Sequence, residues 1–243
     1  MGTLISERQD SVMGIRDLFP NDPLQAGTDS SEQSLCEKYR PRKIADFAGQ
    51  EKAKTILQKF AAKPYRIAWL FNGPTGVGKT SMALALASEI EADLHHLVPN
   101  STREDIERVW ADCQGFPAPG CKRHLNLVDD VDSVSKAGLT TLLAKLDTRD
   151  SLPDIVWVFT CPDAEKLDRR FRSFCAEIKF PSYGIAKEAT ELLKRVWEAE
   201  HVPAGSAEPN FARIVKESNN DIRAALMNLE TMLLTNTESN PRH

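Results

Sequence analysis

Eight residues, Gly73-Pro74-Thr75-Gly76-Val77-Gly78-Lys79-Thr80, constrain this chain more than any other stretch. They fit the pattern G-x-x-x-x-G-K-[ST]. The apolar run Ile67, Ala68, Trp69, Leu70, Phe71 precedes them, and a helix-like run from Ser81 to Ile90 follows. That is the strand–loop–helix setting in which such a loop cradles phosphate. The glycines allow a tight turn and close approach of backbone N–H groups to phosphate oxygens. The helix N-terminus favours an anion. Lys79 supplies an ammonium for the β- and γ-phosphates and Thr80 a hydroxyl for Mg²⁺. Glycine-rich turns also occur without a ligand, but the flanking strand and helix favour the nucleotide reading, with residues 73–81 in contact with it.

The chain is long enough, at 243 residues, for one full core and a small second domain. Its 41% hydrophobic and 27% charged content is that of a globular protein. Apolar runs reach about five residues, whereas a membrane helix takes about twenty, so no membrane span is expected. The N-terminus has no signal-peptide core, and five scattered cysteines suit a reducing compartment. The expectation is a cytoplasmic protein, or a nuclear or nucleoid-associated one, and not a secreted one. A net charge of −4 excludes a basic nucleic-acid coat, so DNA contact would have to be local or shared with partners. Cys113, Cys121 and His124 have the residue types of a zinc site. A structural site takes four ligands, no fourth is evident nearby, and incidental cysteines are the expectation.

Residues 1–34, rich in Ser, Asp, Gln, Gly and Pro, read as a flexible extension with one helical turn at 11–18. Residues 35–181 alternate strand and helix patterns. The strands are expected at 67–71, 93–98, 124–129, 154–160 and 176–180. The helices are expected at 50–60, 79–90, 102–113, 136–146 and 164–171. Ser101 and Glu104 have capping-box spacing. The alternation predicts an α/β fold: a parallel five-stranded sheet covered by helices on both faces. Residues 182–235 carry only helical patterns, at 185–200, 210–216 and 221–234, and read as a small all-helical lid. Residues 236–243 read as a frayed tail.

The run Leu125-Asn126-Leu127-Val128-Asp129-Asp130-Val131-Asp132 ends a buried strand in acids. Such carboxylates stand at the sheet's C-terminal edge, where open α/β sheets bind ligands. Asp129 is the candidate Mg²⁺ ligand with Thr80. Asp130 is the candidate base or water-orienting group. Alone, three acids in four residues would read as a solvated turn.

The segment Glu37-Lys38-Tyr39-Arg40-Pro41, followed by Gly49-Gln50, resembles the clamp-loader branch of the AAA+ ATPases, near the replication factor C small subunits and their bacterial and phage counterparts. The likeness runs from Cys36 to about Leu234. It implies that Tyr39, Arg40, Pro41 and Gln50 border an adenine pocket, with ATP and Mg²⁺ as cofactors; packing at the core edge is the plain alternative for Tyr39. Asn219-Asn220-Asp221-Ile222-Arg223 resembles the family's second-sensor segment, so Arg223 would reach the γ-phosphate from the lid. A surface ion pair is the alternative reading of Arg223. Ser101, Thr102 and Arg103 correspond to a region that tracks the DNA backbone, with ordinary helix capping the stronger reading. The partners implied are other AAA+ subunits, a sliding clamp and primer–template DNA. The family's third, collar domain is not expected within these 243 residues.

The chain also departs from that family. Asp130 stands where Glu is usual, one methylene shorter, and positioning errors of about 1 Å can cost about a hundredfold. Cys161 replaces the first-sensor Asn after Thr160, and a thiol is a weak hydrogen-bonding group. Phe174, between Ser173 and Cys175, occupies the position of the arginine finger; Arg169, Arg170 and Arg172 are the nearby cations. The expectation is ATP binding with hydrolysis slowed, through Asp130, Lys79 and Arg223. The alternatives are an ATP-held switch with little turnover, or another DNA-associated AAA+ class. Residues 98–102 lack the aromatic pore residue of protein remodellers.

Overall fold

The computed structural model describes residues 33–147, 155–200 and 208–238. The expected extension lies outside them except for residues 33 and 34, as do its helical turn and the tail from 239 onward.

The chain begins with a short helix α1 (Leu35–Lys38) and a 3-10 turn (Ile44–Asp46). It continues through α2 (Glu51–Ala62), β1 (Ile67–Asn72), α3 (Lys79–Glu89), β2 (Ala92–Leu97), α4 (Arg103–Asp112) and β3 (Arg123–Val128). Then come α5 (Lys136–Asp147), β4 (Val156–Cys161), α6 (Arg169–Ser173) and β5 (Ala176–Lys179). The lid is α7 (Ala186–Ala199), α8 (Phe211–Glu217) and α9 (Ile222–Glu238). The strands form one five-stranded parallel sheet in the order β2-β3-β4-β1-β5. Every strand lies within two residues of its expected place.

The sheet has a core on each face. On one face Leu94, Leu125, Leu127, Val156 and Val158 pack against α2 and α3. All side chains from Met82 to Ala87 are buried, as for a helix that is apolar on every side. On the other face Leu97, Val128, Trp157 and Phe159 pack against α4, α5 and α6. The central strands β1, β3 and β4 are buried nearly throughout, as in a sheet covered on both sides.

Two expectations are corrected. The helix expected at 164–171 is two pieces, a 3-10 turn (Ala164–Lys166) and α6. Asp163 and Asp168 each accept a bond from the N–H two residues on, so each starts its own turn, and Leu167 between them is extended. The capping box of α4 is Thr102 with Asp105, one residue later than expected. The Ser101 hydroxyl is instead spent on the Val98 carbonyl at 2.5 Å.

The lid has its own core of Leu193, Val196, Trp197, Phe211, Ile214, Leu226 and Leu229. Leu35 belongs to that core, although it precedes the sheet by some thirty residues. The Leu35 N–H donates to Glu230 Oε1 at 3.1 Å, and the Tyr39 hydroxyl donates to Glu200 Oε1 at 2.6 Å. The entering segment therefore straps the lid to the sheet domain.

Candidate nucleotide site

The loop after β1 is built by glycines at two close approaches. A side chain at Gly73 would lie 2.1 Å from the Phe180 carbonyl oxygen, and Gly76 has φ +71°. Lys79 is buried, and its ammonium donates to the carbonyls of Gly73 at 2.7 Å and Pro74 at 2.8 Å. These bonds hold the loop in its turn. Burial pulls Lys79 below the ordinary lysine range, against the charges of Asp130 and Asp129.

The parallel register brings three strand ends to this loop. Val128 pairs with Phe159, and Phe71 with Thr160, so Asp129, Thr160 and the loop share one edge. Asp129 Oδ1 accepts from the Thr80 hydroxyl at 2.8 Å and from the Thr160 hydroxyl at 2.5 Å. The Thr160 oxygen in turn accepts from the Asp130 N–H at 2.9 Å. Thr160 thus fixes both acids, a role its sequence position only hinted at. Asp130 has φ +47°, and burial, then Asp129, raises its carboxyl above the usual range while Lys79 opposes the shift.

His96 escaped the sequence reading. On β2 beside β3, its Nε2 lies 4.0 Å from Asp129 Oδ2, and neither ring nitrogen has a hydrogen-bond partner. Burial drives the imidazole toward its neutral form. The signal was β2 itself: a strand next to the acidic one places alternate side chains beside its end.

The lid closes over the loop. The Ile222 N–H donates to the Gly76 carbonyl at 3.2 Å, and Asp221, which caps α9 by accepting from the Ala224 N–H at 2.9 Å, stands against Gly76. Between them opens a cavity of about 940 Å³. Tyr39, Arg40, Pro41, Gly76, Val77, Gly78, Ser81 and Arg223 all line it. Arg223 is exposed, and its charge is felt by both Lys79 and Asp130. Gln50 is not among the lining residues. Its backbone is left-handed, and its amide donates to the Pro181 carbonyl at 3.0 Å, so it ties the start of α2 to the segment that leaves the sheet instead.

Residues 69–182 match the AAA family, "ATPase family associated with various cellular activities". The chain carries an AAA domain of the clamp-loader branch. Among its relatives is the replication factor C large subunit of Thermococcus kodakarensis, 29% identical over 86% of this chain and 42% of that protein. Another is the large subunit of Ignicoccus hospitalis, 30% identical over 80% of this chain and 42% of that protein. The chain therefore spans about two fifths of the length of these relatives. They are named large subunits, whereas the motifs had pointed to small ones. Among solved structures, the Thermotoga maritima RuvB Holliday junction branch migration motor has the same fold, with TM-score 0.65 and 20% identity over 82% of this chain and 72% of that one.

The structure also places the residues at which the sequence departs from the resembled family. The Cys161 thiol is buried, pushed up to about 12, and faces Asn72 Oδ1 at a weak 3.9 Å. Phe174 caps the C-terminus of α6; Arg169 and Arg170 are exposed, and Arg172 is half-buried with Nε unpartnered. Before and at the start of α4 the Ser101 hydroxyl bonds the Val98 carbonyl and the Thr102 hydroxyl bonds Asp105, while Arg103 is exposed. No helix among the described residues is long and apolar enough to cross a membrane.

Proposed function

We propose that this chain is an ATP-binding, slowly hydrolysing subunit of a clamp-loader-like AAA+ assembly that acts on DNA. The observation that carries the reading is the convergence of Thr80, Asp129 and Thr160 beside Lys79, at the end of a loop whose Gly76, Val77 and Gly78 line a cavity together with Tyr39, Pro41 and Arg223. The donor set fits Mg·ATP. A buried ammonium and the loop N–H groups suit phosphate, while a hydroxyl and a carboxylate 2.8 Å apart suit a hard cation that takes oxygen ligands. Thr80 and Asp129 would hold Mg²⁺, which neutralises phosphate charge when bound. Lys79 and Arg223 bind the phosphates, and Asp130 orients water. The strap at Tyr39 and the lid bond to Gly76 link nucleotide occupancy to lid position, and so to an interface with neighbouring subunits, a clamp and primer–template DNA.

A second reading, an ATP-held switch with little turnover, is favoured by Cys161 and Phe174 at the sensor and finger positions. The test is ATP affinity and turnover with and without primed DNA, together with nucleotide content after purification. Tight ATP binding by Lys79→Ala would refute the site. Bound ATP that persists for hours selects the switch, and rapid multiple turnover selects the enzyme.

A further inference from the structure

A polar cluster lies in the second core, on the face of β2 and β3 opposite to His96. Asp93 and His95 share one face of β2; His124 and Asn126 share the same face of β3, with Asp93 opposite His124 and His95 opposite Asn126. Cys113, at the end of α4, covers them. His95, His124 and Cys113 are all buried, at 7%, 2% and 0% exposure, on a face that is otherwise apolar.

We propose that His95, Cys113 and His124, with the Asp93 carboxylate beside the two histidines, form a structural site for a zinc-class divalent metal ion. The three nitrogen and sulfur ligand atoms lie within 4.8 Å of one another. His95 Nε2 is 3.1 Å from His124 Nδ1, near the edge of about 3.3 Å that a tetrahedron with zinc–nitrogen bonds of about 2.0–2.1 Å requires. Asp93 Oδ2 lies 3.9 Å and 3.6 Å from the same two nitrogens. It also accepts from the Ala118 N–H at 2.9 Å, which holds the carboxylate in place.

The outer contacts set the ligand forms. His124 Nε2 is 3.3 Å from the Gly115 carbonyl, an acceptor only, so the proton sits on Nε2 and the Nδ1 lone pair faces the cluster. A backbone carbonyl in that position is the usual orienting partner of a metal-bound imidazole. Burial favours the neutral form of His95, which a ligand must have. The Cys113 thiol, pushed up to about 12 by burial, gives Asn126 Oδ1 a bond at 3.3 Å while Asn126 Nδ2 stays unpartnered.

Without metal, His95 donates to His124 Nδ1. On binding, the His95 proton moves from Nε2 to Nδ1 by exchange with water, Cys113 releases its proton to solvent, and the metal–sulfur bond forms. Affinity therefore rises with pH. The ion would pin the β2–β3 edge to the end of α4 and to the following loop, which carries the fully exposed Phe116. Cys121, singled out with Cys113 and His124 from the sequence, is replaced as a ligand by His95.

The test is titration of the metal-free full chain with Co²⁺ and then Zn²⁺, with X-ray absorption on the zinc form. The expected result is one ion per chain, a thiolate-to-cobalt charge-transfer band displaced by zinc, and one sulfur at about 2.3 Å with nitrogen and oxygen at about 2.0–2.2 Å. Cys113→Ser should abolish the band and weaken zinc at least tenfold, while Cys121→Ser should leave both unchanged. Absence of a stoichiometric ion, a zinc shell without sulfur, or a band lost in Cys121→Ser would overturn the proposal. If Cys113→Ser fails to fold, the absorption spectrum of the unaltered chain and of Cys121→Ser still decides.

Discussion

The carboxylate of Asp221 stands where any side chain at Gly76 would have to go: a β-carbon built there would lie 1.8 Å from Asp221 Oδ1. The lid thus rests directly on the phosphate loop, and the neighbouring Ile222 N–H bonds the Gly76 carbonyl. Gly76→Ala combines a left-handed backbone, costing about 1–2 kcal/mol, with displacement of the α9 cap. The expected outcome is weaker ATP binding, a lower melting temperature and faster proteolysis near residue 221. Unchanged lid protection would show that the contact does not matter.

Thr160 links Asp129 to the Asp130 N–H through a single hydroxyl. Thr160→Val keeps the shape and strips an acceptor from that N–H. A loss of about 1–3 kcal/mol is expected, with a larger fall in Mg²⁺-dependent than in Mg²⁺-independent nucleotide binding. Denaturant unfolding and nucleotide titrations with and without Mg²⁺ check both parts.

Cys161 and Cys175 are pushed by burial from the ordinary 9.0 up to about 12, so the folded chain keeps protons that the unfolded chain releases. Their contribution is complete below pH 9.0 and is lost as pH rises toward about 12. Stability measured across that window should fall less steeply in the Cys161→Ala/Cys175→Ala double variant than in the unaltered chain. Parallel slopes would contradict the assignment.

Phe174 ends α6 at the position where the resemblance expects a cation. If the chain works beside a neighbour's nucleotide, Phe174→Arg should raise turnover of the assembly by tenfold or more, since an arginine finger is worth up to 10³–10⁵. The isolated chain should show no change. An increase in the isolated chain, or none in the assembly, would count against an interface at this end of α6.

How much was legible beforehand follows from the range of each interaction. The phosphate loop was legible because its conformation depends on adjacent residues, glycine at Gly76 and the strand and helix on either side. The strands were legible because a parallel sheet buried on both faces makes short continuous apolar runs. The break between Ala164 and Arg169 was missed because two local aspartate caps outweighed a plausible helical period. Gln50 was expected at the base pocket from motif position, but its left-handed backbone aims the amide at Pro181.

The sequence by itself determined the sheet-and-lid class, the loop and the acids at the end of β3, since these are written in residue patterns within single segments. Only the tertiary structure decided that Thr160 and His96 flank Asp129, that Leu35 belongs to the lid core, and that His95 meets Cys113 and His124. Those pairings arise from strand order and register between segments distant in the chain. Side-chain period within any one strand does not encode them.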